Sequence, residues 1–294
     1  MNKLKRNSYL AIGLFFIASL VGYYSINELN SDDGEKSKNK QDGLEGSRES
    51  TVIAKDTSIG YPLTTETESN PDPKPTLKPL WVNDKKQILI CIDPGHQRRA
   101  NLEHEPVGPG ANETKMKVTG GTKGAKTGKP EYQLVFEASL LLRDELQKRG
   151  FDVVLTRESH DVNLSNRERA EIANQNKADL FIRVHADGSN NPNMSGFHIL
   201  TPGKNNPYTT EIFLESLSAS QHILEEVNKN KSIKVNGITE RNDLSGFNWS
   251  KVPSTLIEIG YMTNQEEDEK LSDMTYLSNI MNAIVDGIER YFSQ

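Results

Sequence analysis

From about residue 85 onward, apolar positions recur with two alternating periods. ILICID (88–93) is a continuous Ile-rich run, the pattern of a strand buried on both faces. In EYQLVFEASLLLRDELQKRG (131–150), Leu134, Phe136, Leu140, Leu141 and Leu146 fall at helical spacing, and Gly150 supplies a stop. FDVVLTR then predicts a strand, NLSNRERAEIANQNKA a helix and DLFIRVHAD a further strand. GFHILT reads as a strand, 210–228 as a helix, STLIEIGY as a strand and 276–292 as a closing helix. Strands alternating with helices predict an α/β fold: three layers, with a twisted, mostly parallel sheet flanked by helices. Residues 85–294 form one such domain, large enough for a proper core.

The upstream pattern differs. Lys3, Lys5 and Arg6 form a basic head, and the stretch 7–27 that follows carries no charge. Its apolar centre, YLAIGLFFIASLVGYY, ends in aromatics, as expected where a helix meets the lipid interface. Residues 1–27 therefore read as a signal-anchor or signal peptide, with the Lys/Arg side cytoplasmic and the remainder exported. Residues 28–84 read as a disordered Pro-rich linker: they are polar, and Pro71, Pro73, Pro75 and Pro79 favour extended geometry.

Composition narrows the chemistry. Lys+Arg 35 against Asp+Glu 41 gives a net charge of −6, which argues against a general nucleic-acid binder. Only one stretch could cross a bilayer, which argues against a large polytopic membrane protein. A single cysteine, Cys91, rules out an intrachain disulfide framework and any multi-cysteine metal cluster. A metal must be held mainly by His and carboxylates.

In open α/β sheets, ligands bind beyond the carboxyl ends of the strands. His96 follows the first strand, His185 ends LFIRVH, Glu258 lies near the end of STLIEIGY, and Glu131 opens the first helix. Each also has a plainer account. A histidine at a strand end is commonly a hydrogen-bonded structural residue, and Glu131 suits the helix dipole as a first-turn acid. Glu258 lies among Leu256, Ile257 and Ile259, where an unpaired carboxylate is costly, and an ion pair with Arg157 or Arg183 would relieve it. The gaps between the four residues, 35, 54 and 73, form no compact motif. The residues alone leave both accounts open.

Six blocks taken together are more specific: IDPGH (92–96), EYQLVFEASLLLRDELQKRGF (131–151), VVLTR (153–157), NRERAEIAN (166–174), ADLFIRVHAD (178–187) and VPSTLIEIGYMTNQEED (252–268). In this order, across 88–291, they resemble the zinc-dependent N-acetylmuramoyl-L-alanine amidases of the amidase-3 type, bacterial enzymes that cut peptidoglycan. The resemblance implies a phosphorylase/hydrolase-like fold in which His96, Glu131 and His185 bind one Zn²⁺ and Glu258 is the catalytic carboxylate. Two imidazoles and one carboxylate leave a tetrahedral zinc with an open position, as catalytic sites do. Glu258 is then the general base, and its apolar flanks raise its pKa toward the useful range. The implied reaction cuts the amide between N-acetylmuramic acid and L-alanine of the stem peptide. Rival readings are a zinc peptidase acting on stem peptides and a catalytically silent wall-binding protein.

The expected partners are peptidoglycan, the membrane through the N-terminal helix and a possible regulatory protein, with no nucleic acid; the expected place is outside the cytoplasm, facing the cell wall. Asp93 is expected either to orient His96 or to cap its loop, and Gly95 to be a turn residue. Asp187 and Arg157 are expected to be structural, and His104, His160, His198 and His222 to be ordinary. GFNWSKVP departs from the family, which commonly places an arginine near Asn248. The insertion 97–130, long for a βα connection, is expected to border the cleft and to contribute to substrate choice.

Overall fold

The computed structural model describes residues 87–294; the signal-anchor (1–27) and linker (28–84) expectations lie outside the described residues. The elements run β1 (Leu89–Pro94), β2 (Asn101–Pro106), β3 (Thr114–Val118), α1 (Glu131–Lys148), β4 (Asp152–Leu155), α2 (Asn166–Gln175) and β5 (Leu180–Asp187). They continue with β6 (Phe197–Pro202), α3 (Phe213–Lys229), β7 (Val235–Arg241), α4 (Ser245–Asn248), β8 (Ser254–Tyr261), α5 (Gln265–Ser272) and α6 (Met274–Phe292). Among the described residues no helix is long and apolar enough to cross a membrane.

The sheet has the order β4-β1-β5-β8-β6-β7. β4, β1, β5 and β8 are parallel, β6 is antiparallel to β8, and β7 is parallel to β6. This is the mostly parallel sheet that the alternation predicts. One face, with Ile90, Ile92, Ile182, Val184, Ile199, Ile257 and Ile259, packs into a single core with α1, α3 and α6. The other face is covered more sparingly: Cys91 and Phe181 pack with Ala170 and Ala173 of α2, and Trp249 and Val252 lean on that cluster. Helices on both faces make the three layers.

Local chemistry sets the helix ends. Gly150, with φ +88, follows α1 in the left-handed conformation that terminates helices. Ser165 and Glu168 form a reciprocal capping box on α2. Asp273 caps α6 through the Tyr276 N–H, which moves its start ahead of the expected residue 276.

Four features differ from the sequence expectation. The insertion 97–130 contains the antiparallel hairpin β2–β3, a separate two-stranded sheet. β7, α4 and α5 are also additional. β7 is a half-exposed edge strand interrupted by Gly237, α4 spans 4 residues, and α5 is mostly charged, so none carries a clear apolar period.

Candidate active site

Alternation along β5 turns Ile182, Val184 and Ala186 to the main core, and Arg183, His185 and Asp187 to the other face. Register then aligns neighbours on that face: Asp93 of β1 with Arg183, His185 with Glu258 of β8, and Glu258 with His198 of antiparallel β6. Polar residues thus form two rows on that face, Asp93 with Arg183 across β1 and β5, and His185, Glu258 and His198 across β5, β8 and β6.

Asp93, fully buried, accepts hydrogen bonds from Thr156 Oγ1 (2.5 Å), Arg169 Nη1 (2.7 Å) and Arg183 Nε (2.8 Å). Burial pushes its carboxyl up, but the two guanidinium groups and the Thr156 hydroxyl outweigh that and hold it well below the usual carboxylate range. Arg169 also donates to Pro94 O (3.0 Å) and His96 O (3.2 Å), and Arg157 to Pro94 O (3.0 Å) and Tyr132 O (2.8 Å), so cations pin the loop that carries His96. Asp93 is therefore the hub of a buried ion-pair network, neither of its expected roles. With Arg183 spent on Asp93 and on Asn166 Oδ1 (2.7 Å), and Arg157 on backbone carbonyls, neither arginine is an ion-pair partner of Glu258.

His96, Glu131 and His185 come together. One donor atom from each lies within 4.8 Å of the others, a group able to hold a metal ion. Glu131 Oε1 is 3.4 Å from His96 Nε2 and 3.2 Å from His185 Nδ1. His96 sits at φ +49, uncommon for a side chain-bearing residue and a form of strain that collects at functional sites. Its Nδ1 donates to Thr119 O (2.8 Å), which leaves the Nε2 lone pair facing the cluster. Gly95 is required for a reason other than a turn: a Cβ there would lie 2.4–2.6 Å from three atoms of the His185 ring.

The donor set suits a divalent cation. Burial alone would raise Glu131, but His96, His185 and the Thr122 N–H outweigh it and bring it to about 2. Burial lowers His185 to about 4 against the opposing pull of Glu131, so its imidazole is neutral at neutral pH. Its Nε2 is buried with no hydrogen-bond partner among the described residues. An ionised carboxylate and a neutral His185 imidazole, set beside the His96 ring, form a donor set that a bound cation would suit.

Glu258 stands beside this cluster, 9% exposed, with Oε2 buried and unpartnered among the described residues. Its pKa is raised well above the ordinary value, first by burial and then by Glu131 and Asp187, while Arg183 and Arg241 pull the other way. A carboxyl raised in this way is a stronger base than an exposed carboxylate.

His198 departs from expectation. It lies opposite Glu258, its Nε2 is 3.5 Å from Asp187 Oδ2, and its ring stacks on Tyr261 at 5.5 Å. The signal was available in GFHILT, where a lone imidazole between Phe197 and Ile199 occupies the phase opposite the core. The other three are unrelated to the cluster: His104 is exposed on β2, His160 packs on Tyr132 and Phe136, and His222 bonds Ser218 O within α3.

The insertion is docked at both ends. Trp249 Nε1 donates to Pro106 O (2.9 Å), and Asn248 Nδ2 to Val107 O (2.9 Å), with Asn206 donating to Asn248 Oδ1 (2.8 Å). Farther on, Asp268 accepts from Lys126 N (2.8 Å), Thr127 N (2.7 Å) and Thr127 Oγ1 (2.8 Å). Between these anchors, Thr119 and Thr122 touch the metal-ligating candidates themselves.

Known proteins resemble the chain over most of its described residues. A family profile described as N-acetylmuramoyl-L-alanine amidase matches residues 90–290. The N-acetylmuramoyl-L-alanine amidase AmiA of Escherichia coli is 26% identical over 252 residues, covering 73% of this chain and 80% of that protein. The germination-specific N-acetylmuramoyl-L-alanine amidase of Bacillus subtilis is 26% identical over 226 residues, covering 70% and 80%. The crystal structure of the N-acetylmuramyl-L-alanine amidase Ami1 from Mycobacterium smegmatis superposes with a TM-score of 0.63 at 25% identity, over 70% of this chain and 98% of that one.

Proposed function

The chain belongs to the N-acetylmuramoyl-L-alanine amidase family, and on that premise we propose that residues 85–294 hydrolyse the amide joining the lactyl group of N-acetylmuramic acid to L-alanine of the stem peptide. His96, Glu131 and His185 are the ligands of one Zn²⁺, and Glu258 is the general base. The observation that carries this reading is the convergence of three metal-competent donor atoms within 4.8 Å beside a strand whose buried carboxylate has an unpartnered oxygen.

Bound there, Zn²⁺ would supply Lewis-acid polarisation of the scissile carbonyl and an acidified water. Glu258 takes a proton from the attacking water as the new C–O bond forms, and returns it to the alanine nitrogen as the C–N bond breaks. The products are a glycan bearing a free lactyl carboxylate and a peptide beginning at L-alanine. The sheet and the docked insertion hold the reacting groups in place, which lowers the entropic part of the barrier.

Peptidoglycan lies outside the cytoplasmic membrane, so the reading requires export. The basic head and uncharged apolar block of residues 1–27 support an anchor, and the Pro-rich stretch 28–84 supports a stalk that brings the enzyme to the polymer.

Metal analysis of the full-length protein together with a Glu258→Gln variant tests the reading. One zinc per chain is expected, with lysis of sacculi reduced by about 10²–10⁴-fold in the variant while its zinc is retained. Undiminished lysis by the variant would refute the base, and a wild-type protein that takes up no zinc would refute the metal site.

A further inference from the structure

Two of the three metal-ligating candidates are held by one short piece of the insertion. Thr119 O accepts from His96 Nδ1 at 2.8 Å, which fixes the tautomer and turns Nε2 to the cluster. Thr122 N donates to Glu131 Oε2 at 2.8 Å, which leaves Oε1 as the oxygen that meets both imidazoles. Gly121 lies between them at φ +75, and a Cβ there would stand 2.9 Å from Glu131 Oε2 and 2.9 Å from His96 Cγ and Cδ2. The piece is itself tied down. Asn166 Nδ2 donates to Lys117 O (2.8 Å) while Asn166 Oδ1 accepts from Arg183, and Ala125 N donates to Met262 O (2.8 Å).

We propose that residues 119–122 are the positioning element of the metal site, and that Gly121 is needed because its missing side chain lets this backbone close on His96 and Glu131 at once. The insertion thereby sets metal affinity, a role separate from any contact with substrate. The inference rests on the zinc reading above and deepens it.

The hairpin provides an internal control. Gly110 has the same φ, +75, yet a Cβ there would meet nothing within 4 Å. Gly110→Ala therefore imposes the same backbone strain without touching a metal-ligating candidate. Full-length wild type, G121A and G110A are stripped of metal, and zinc is titrated against a chromophoric chelator. The expected result is a loss of affinity of about 10–100-fold in G121A, typical of a broken outer shell, with G110A unchanged. At saturating zinc, kcat of G121A returns to within about threefold of wild type, because a positioning residue acts through occupancy.

Wild-type affinity in G121A overturns the proposal while leaving the zinc reading intact, and an equal loss in G110A overturns it as well. A wild-type chain that binds no zinc removes both. Should G121A not fold, Asp268→Ala removes the acceptor of Lys126 N, Thr127 N and Thr127 Oγ1 and so unties the insertion just downstream of the positioning piece; its zinc affinity is expected to fall by about threefold or more, and an unchanged value overturns the proposal.

Discussion

His185 and Glu258 are register partners on the adjacent parallel strands β5 and β8. Backbone pairing, about 4.8 Å between strands, therefore fixes the distance between a metal-competent imidazole and the unpaired carboxylate. A slip of one residue in either strand would send one of them to the apolar core, so the register of the sheet protects the site. Glu131 and His96 are added from a helix start and a loop, and those two need outside support.

Glu258 makes the stability of the metal-free protein pH-dependent. Its folded pKa lies above the ordinary 4.5, so its contribution is fully present below that value and is lost as pH rises through the raised one. Glu258→Gln cannot ionise. Metal-free E258Q is expected to gain about 1–3 kcal/mol over wild type at pH 8, the cost of an unsatisfied buried carboxylate, and little at pH 4. Urea unfolding at both pH values measures this, and a gain that is the same at both would contradict it.

Asp93 works in the opposite sense. Its pKa is depressed, so its contribution is present above the ordinary carboxylate value and is lost only as pH falls toward the depressed one. Asp93→Asn leaves Arg169 and Arg183 buried without their counter-ion. The expected loss is about 3–5 kcal/mol, constant from pH 5 to 8 on denaturant unfolding. A loss under about 1 kcal/mol would show that the network is not structural.

At Gly95 the constraint is contact with the His185 ring. Gly95→Ala should displace that imidazole and lower zinc affinity by at least about tenfold. Its residual activity should rise with added zinc. Zinc binding equal to wild type would contradict the contact.

Asn248 joins the hairpin to the body through Val107 O and Asn206. Asn248→Ala leaves two buried partners unpaired, a cost of about 1–3 kcal/mol for each. Hydrogen exchange should localise the loosening to residues 106–118, and uniform protection there would argue against the anchor.

Much of this was legible in the sequence. The buried strand β1 is a continuous apolar run that leads to His96, and β5 and β8 are largely apolar strands that carry His185 and Glu258 in their second halves, so the three could be assigned to one rim without coordinates. The hairpin was not legible, because its strands expose Leu102, His104 and Met116 and show no alternation against a core. Neither was the job of Asp93, which depends on two arginines 76 and 90 residues away. His198 was passed over because its neighbour Glu258 belongs to a strand that pairs with it antiparallel, a topology that local pattern does not reveal.

Four side chains from a strand pair, a helix start and a loop are proposed to meet and cut one amide. Mass spectrometry of sacculi digested with the zinc-loaded, full-length protein tests this most directly. Released stem peptides that begin at L-alanine and glycan strands of undiminished length are expected. Peptides cut at an internal bond, or sugar fragments in their place, would contradict it.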